Sequence, residues 1–271
     1  MGLNGKSARR GLTYVLDLDG VMYRGTEPQP HAASVVLALR DRGHAVRFFT
    51  NNSALTRESY AAKLQSMGVP TPVDEIMTTS YATALYLREQ NASGKTVYQI
   101  GEEGITRELE AVGMRVITNC SQADAHIDYV VVGMDREFNY SKLARAQKAI
   151  LEGARFIATN EDPTYPIEGG CVVPGGGSLV AAVRTATSVE PLVIGKPQTY
   201  AFNKILDMTG TPPDEAVMVG DRLDTDIAVG NRAGAHTVLV LTGVTSREEA
   251  EQAAGEMRPE RIIETLAELI E

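Results

Sequence analysis

The sequence predicts an α/β fold on a parallel sheet, and three observations predict it. Short apolar runs alternate with amphipathic runs along the chain, and such alternation builds βα units whose right-handed crossovers lay the strands parallel. Four of the apolar runs end in clusters of carboxylate, amide, glycine or lysine, where ligands of open α/β sheets gather. The alternation also comes in three series. A polar break at Asn91-Ala92-Ser93-Gly94-Lys95 and a Pro- and Gly-rich stretch at Thr159–Gly177 separate them.

Residues 1–11 read as a disordered leader. Thr13–Leu18 is predicted as the first strand, with Tyr14 to Leu16 buried. Met22–Pro30 holds Gly25, Pro28 and Pro30 and reads as a loop or small flap. His31–Arg42 places Val35 and Leu39 at helical spacing, and Gly43 stops it. Ala45–Thr50 is a second apolar strand. Thr56–Met67 is amphipathic, with Thr56 as N-cap and Gly68 at its end. Glu75–Thr78 makes a short strand and Ser80–Gln90 a helix. The second series runs strand Thr96–Ile100, helix Glu103–Val112, strand Asp128–Gly133, helix Tyr140–Gly153 and strand Arg155–Ala158. Ser178–Thr187 is a helix. The third series runs strand Leu192–Ile194, helix Thr199–Met208, strand Ala216–Val219, helix Thr225–Ala233 and strand His236–Leu241. A last helix spans about Arg261–Ile270.

The 271 residues suffice for one large or two smaller domains. The net charge of -9 gives no field that draws nucleic acid or an anionic membrane. An anionic substrate then needs a local positive centre, from a metal or a specific Lys or Arg. Cys120 and Cys171 make neither a disulfide framework nor a Cys-rich metal site. Cys171 reads either as a reactive thiol or as a small packed side chain. Met1–Arg10 lacks the apolar core of a signal peptide. Lys6 stands where a myristoylation signal wants Ser or Thr. No apolar run approaches the length that spans a bilayer. A soluble, cytoplasmic protein is expected, with neither nucleic acid nor membrane as partner.

The chemistry sits in four clusters: Asp17-x-Asp19-Gly20, Thr50-Asn51-Asn52-Ser53, Gly195-Lys196-Pro197 and Gly220-Asp221-Arg222-Leu223-Asp224-Thr225-Asp226. At the ends of strands in one sheet they converge on one crevice. Two carboxylates at the first strand end repel and lose water when buried together, a cost that a bound cation removes. Mg²⁺ takes oxygen ligands; Asp17, Asp221 and the backbone carbonyl of Asp19 supply them. Asp17 suits a nucleophile that forms an aspartyl-phosphate. Thr50 and the backbone amides of Asn51 and Asn52 suit the phosphoryl oxygens. Lys196 balances the carboxylates and the transferring group. Asp226 suits a second layer that holds Lys196 or a metal-bound water.

Together the clusters resemble motifs I to IV of the haloacid dehalogenase superfamily of phosphatases. Asp17-Leu18-Asp19-Gly20-Val21-Met22-Tyr23-Arg24-Gly25 and Thr50-Asn51-Asn52-Ser53 resemble its NagD and 4-nitrophenylphosphatase-like subfamily, which includes phosphoglycolate and pyridoxal phosphate phosphatases. The resemblance covers nearly the whole chain after residue 11. It implies a Rossmann-like parallel-sheet core. It also makes Asp19 general acid and then general base, where transport ATPases of the superfamily carry Thr, so turnover by hydrolysis is expected. About thirty residues separate Asp19 from Thr50, too few for a lid, whereas about 140 separate Asn52 from Lys196. The longer insertion is expected to be an α/β cap of subclass IIA at 91–188, between core segments 1–90 and 189–271. It is expected to close over the crevice and exclude bulk water.

Thr159-Asn160-Glu161-Asp162-Pro163-Thr164-Tyr165-Pro166 resembles the subfamily's specificity segment. The resemblance puts Tyr165 toward the leaving group; Asn160 and Asp162 either join it there or stabilise the loop through side-chain to backbone bonds. Pro174-Gly175-Gly176-Gly177-Ser178 reads as an anion site at a helix start or, as the subfamily implies, as a cap turn. Gly101-x-x-Gly104 is too little for a dinucleotide fingerprint. His31, His44, His126 and His236 show no ligand spacing and read as structural. Asp224 reads as a solvated residue at a helix start. The expected activity is Mg²⁺-dependent hydrolysis of a small phosphomonoester: a nucleotide, a sugar phosphate, phosphoglycolate, glycerol phosphate or pyridoxal phosphate. The rivals are a phosphotransferase or mutase and a non-catalytic phospho-ligand binder. The subfamily offers a homodimer through the cap as one assembly.

Overall fold

Thr13–Leu16, strand β1, is buried along its whole length, and the fold is laid out from it. The computed structural model describes residues 11–119, 125–166 and 172–271. Residues 1–10 of the leader expected at 1–11, and both Cys120 and Cys171, lie outside the described residues. After β1 the expected flap is a two-rung hairpin of β2 (Tyr23–Arg24) and β3 (Glu27–Pro28). Then follow α1 (Ala32–Asp41), β4 (Ala45–Thr50), α2 (Arg57–Ser66), β5 (Ile76–Thr78) and α3 (Thr79–Glu89). Thr56 caps α2 by accepting from the Ser59 amide, as the sequence predicts.

The second series comprises β6 (Thr96–Ile100), α4 (Glu103–Ala111), β7 (Arg115–Ile117), β8 (Tyr129–Val132), α5 (Tyr140–Leu151) and β9 (Arg155–Ala158). An antiparallel hairpin of β10 (Thr164–Pro166) and β11 (Val172–Pro174) leads to α6 (Gly176–Thr187) and β12 (Leu192–Val193). The chain closes with α7 (Tyr200–Thr209), β13 (Ala216–Gly220), a π-helical turn at Leu223–Ile227, α8 (Ala228–Ala233), β14 (His236–Val240), α9 (Arg247–Gln252) and β15 (Arg261–Ile263).

Two parallel sheets result. The first has the order β15-β14-β13-β1-β4-β5, and the second β12-β9-β8-β6-β7. Both faces of the first sheet are covered, so its inner strands read as continuous apolar runs. Side chains alternate accordingly. Tyr14 and Leu16 face one cluster with α1 and α2, while Val15 faces another with α3 and α7. That second cluster continues without a break onto the other sheet, through Val97, Tyr129, Val131 and Ile157. Helices α3, α4 and α7 are thus packed between the sheets, and α5 and α6 cover the far side with Ala146, Ile150 and Val183.

Two expectations are corrected. The helix expected over Arg261–Ile270 is β15 followed by a 3₁₀ turn at Leu266–Leu269. Ile262 and Ile263 are β-branched and pair in register with Leu239 and Val240 along the open edge of β14. The strand expected at Leu192–Ile194 does not join the first sheet. Its residues Leu192 and Val193 pair with Ile157 and Ala158 of β9 in the second. Strand β7, the hairpin β10–β11 and α9, whose capping box joins Ser246 to Glu249, are additions to the sequence reading.

Candidate active site

The carboxyl end of β1 delivers Asp17, whose amide still donates to Val219 at 2.9 Å and so stays in the sheet ladder. Gly20 then turns the chain back with φ of +86°. A Cβ at Gly20 would lie 2.4 Å from Asp221 Oδ2, so only glycine lets the first and fourth clusters meet here. Lys196 arrives from the opposite side, two residues after the apolar run that β12 begins. Its ammonium lies 2.6 Å from Asp17 Oδ1, 2.7 Å from Asp226 Oδ1 and 3.1 Å from the Phe49 carbonyl. All four clusters therefore meet, but the ends of two sheets, not one, bring them together.

The centre is dry. Asp17, Lys196, Asp221 and Asp226 are all buried. Burial pushes the Asp17 carboxyl well above the usual carboxylate range; Lys196 opposes the shift, and Asp226 and Asp221 reinforce it. Burial also pushes Asp221 up to about 7, with help from the charge of Asp226. Burial acts to lower Lys196, but Asp17 and Asp226 outweigh it and hold the ammonium above its ordinary value.

One carboxylate oxygen from each of Asp17, Asp221 and Asp226 lies within 4.8 Å of the others. Three like charges so close fit a divalent cation. Asp226 already commits both oxygens to the protein: Oδ1 to an ion pair with Lys196 at 2.7 Å that lacks hydrogen-bond geometry, and Oδ2 to the amides of Asp221 and Arg222 at 3.2 and 3.1 Å. Asp17 spends one oxygen on Lys196, and Asp221 spends one on the Val244 amide at 2.8 Å. The donor set thus favours Asp17 and Asp221 as side-chain ligands, with Asp226 behind them.

Thr50 and Asn52 line the same cavity, and Thr50 Oγ1 accepts from the Asn52 amide at 3.1 Å. Asn51 is buried, with its carboxamide bonded to the backbone of Lys196 and to Asp162. Asn160 donates to the Asn51 carbonyl at 2.8 Å and accepts from the Asp162 amide at 3.1 Å. Tyr165 donates its hydroxyl to Asp19 Oδ1. Burial raises Asp19 above the usual range, against the pull of Lys63 and of this bond. Burial likewise lifts Asp162 to about 6, against the Asn51 bond. The cavity measures about 240 Å³ and admits a small ester, not a folded partner.

Arg24, Met134, Val172, Arg222 and Val244 also line the cavity, residues to which the sequence assigns no role. Arg24 stands in the stretch 17–25 and Arg222 in the fourth cluster, so their position is the signal the sequence offers. Met134, Val172 and Val244 carry none. The Gly175 and Gly177 amides donate to Pro163 and Asp162 at 3.0 and 2.9 Å, which makes that segment a turn against the hairpin loop. Asp224 is exposed and pairs with Arg222 at 3.0 Å. His44 accepts from the Leu12 amide and His236 pairs with Glu260.

The haloacid dehalogenase-like hydrolase family model matches residues 14–115, and a HAD-hydrolase-like model matches residues 193–269. The 5'-nucleotidase YutF of Bacillus subtilis is 41% identical over 257 residues, 95% of this chain and 96% of that protein. A glycerol phosphate phosphatase of Mycobacterium tuberculosis, solved in complex with magnesium, has a TM-score of 0.87 at 35% identity, covering 96% of this chain and 76% of its own. The p-nitrophenyl phosphatase of Archaeoglobus fulgidus has a TM-score of 0.87 at 34% identity, covering 96% and 98%.

Proposed function

The chain belongs to the haloacid dehalogenase-like hydrolases, as a phosphatase of small phosphorylated substrates, and on that premise we propose a Mg²⁺-dependent hydrolysis through an aspartyl-phosphate on Asp17. The observation that carries the reading is the Lys196 ammonium lodged between Asp17 and Asp226, with Asp221 beside them. A carboxylate oxygen of Asp17 attacks phosphorus, and the bond from phosphorus to the leaving oxygen breaks. Asp19 gives its proton to that oxygen. Asp19 then takes a proton from water, which attacks the phosphoryl-enzyme. Inorganic phosphate leaves, and the Asp17 carboxylate is restored. Thr50, the amides of Asn51 and Asn52, and Lys196 hold the phosphoryl oxygens throughout. Asp226 keeps Lys196 in place.

Mg²⁺ held by Asp17, Asp221 and the backbone carbonyl of Asp19 would neutralise the carboxylates and draw charge from the phosphoryl group. In this reading the segment 91–188 is the cap and 1–90 with 189–271 the core; β12, just past the cap, pairs with the second sheet. Among the described residues no helix is long and apolar enough to cross a membrane; a cytoplasmic setting stays part of the proposal.

Purified protein with Mg²⁺ should release phosphate from 4-nitrophenyl phosphate. A metabolite panel ranked by kcat/KM then names the substrate. The relatives put nucleoside monophosphates, glycerol phosphate and sugar phosphates first on it. Absence of turnover over the whole panel would overturn the reading. Turnover without free phosphate would favour a transferase or mutase.

A further inference from the structure

The side chain of Asn51 makes bonds in three directions. Its Oδ1 accepts from the Lys196 amide at 2.8 Å. Its Nδ2 donates to the Lys196 carbonyl at 3.0 Å and to Asp162 Oδ1 at 3.0 Å. A carboxamide has two N–H donors, and both are spent here. One side chain thus grips Lys196 on both sides of its Cα, while Asp17 and Asp226 hold the ammonium. The fit is tight: a Cβ at Gly195 would lie 2.7 Å from Asn51 Oδ1 and 2.5 Å from the Thr159 carbonyl.

Asp162 is fixed in its turn. Its amide donates to Asn160 Oδ1 at 3.1 Å, its carbonyl accepts from Gly177 at 2.9 Å, and Asn160 donates back to the Asn51 carbonyl at 2.8 Å. The ring of bonds runs from the end of β4 into the loop before β10 and back. Three residues past Asp162, Tyr165 reaches Asp19. The orientation of the Asn51 amide follows from its partners. A carboxylate only accepts, so it selects the face that carries Nδ2, and the Lys196 amide selects the face that carries Oδ1. Without Asp162 one buried N–H loses its acceptor. The amide then gains by turning toward water, and the grip on Lys196 loosens.

We propose that Asp162 is a positioning residue: by orienting the Asn51 carboxamide it sets where Lys196 stands, so that the cap loop governs the rate of the chemical step as well as the choice of substrate. The proposal rests on the phosphatase reading above. Its test is a double-mutant cycle on Asn51 and Asp162, with steady-state kinetics on 4-nitrophenyl phosphate. Asp162→Ala is expected to lower kcat about 10- to 100-fold, with KM changed less than about three-fold. Asp162→Asn, whose side-chain oxygen still accepts, recovers most of that loss. The double variant Asn51→Ala with Asp162→Ala is no slower than Asn51→Ala alone, within about two-fold. A raised KM at unchanged kcat, independent effects that multiply, or no recovery with Asn would each overturn the proposal. If Asp162→Ala does not fold, Asp162→Ser, too short to reach Nδ2, replaces it in the same cycle. Wild-type turnover in the same assay tests the phosphatase reading separately.

Discussion

The hydroxyl of Tyr165 donates to Asp19 Oδ1 at 3.3 Å, across 146 residues of sequence. The hairpin β10–β11 thereby touches the carboxylate proposed to move protons. Tyr165→Phe keeps the ring and removes the bond, and kcat/KM should fall about 10-fold, as for a hydrogen bond to a charged group. Tyr165→Ala also empties space in the cavity beside Asp19, so it should reorder a phosphate-ester panel. An unchanged order of kcat/KM would take Tyr165 out of specificity.

Asp17→Asn should lower kcat at least about 10³-fold, because an amide is a poor nucleophile toward phosphorus. The fold should survive. Lys196 keeps Asp226 at 2.7 Å, so no buried charge is left unpaired. Circular dichroism and the melting temperature check the second half. A variant with the wild-type rate would move the nucleophile elsewhere.

Treatment with EDTA should abolish turnover, and added Mg²⁺ should restore it. The same addition should raise Tm, because a cation relieves the repulsion among Asp17, Asp221 and Asp226. At 100-fold over Kd the gain is about 2.7 kcal/mol. A chelated enzyme that kept its full rate would remove the metal from the mechanism.

Asp162 gives a pH dependence with a definite sign. Burial lifts its carboxyl from 3.8 to about 6, so the folded state holds this proton more tightly than the unfolded chain. The stability it lends is fully present below pH 3.8 and is lost as the pH rises through about 6. Asp162→Asn never ionises. It should therefore raise Tm by roughly 6–12 °C at pH 8 and leave it unchanged near pH 3.5. Differential scanning fluorimetry at the two pH values measures this. An equal shift at both would mean that ionisation is not the cause.

Gly104 packs the start of α4 against the loop that follows β4. A Cβ there would meet the Leu55 carbonyl at 2.3 Å and the Ser53 carbonyl at 2.6 Å. Both obstacles are backbone and cannot rotate away. Gly104→Ala should cost about 2 kcal/mol, read as a lower Tm. A neutral Gly104→Ala would show that the two sheets have slack between them.

The inner strands were legible because burial on both faces turns them into apolar runs, as in β1, β8 and β13. The region of β15 departs from its helical expectation for a physical reason. Ile262, Leu266, Leu269 and Ile270 repeat at helical spacing, and a three-residue strand is too short to show a period of two. For β12 the difficulty is different. Two residues, Leu192 and Val193, say that a strand exists but not which edge accepts it. The same divide runs through the site. Asp17, Thr50, Lys196 and Asp221 each follow an apolar run, and that placed them. The tie between Asn51 and Asp162 joins side chains 111 residues apart, and no local pattern encodes it.

Because β12 hydrogen-bonds to β9, Lys196, the lysine proposed for the reaction, hangs from a strand of the second sheet. The two halves are therefore not interchangeable parts. On the proposed division into cap and core, grafting another cap at 91–188 would bring a foreign edge for Leu192 and Val193 to pair with, and would reset the height at which Lys196 enters the site. Recombination between related chains would have to carry the stretch from β9 through Lys196 as one block. In the evolution of such proteins, the proposed cap and Lys196 are then expected to be inherited together.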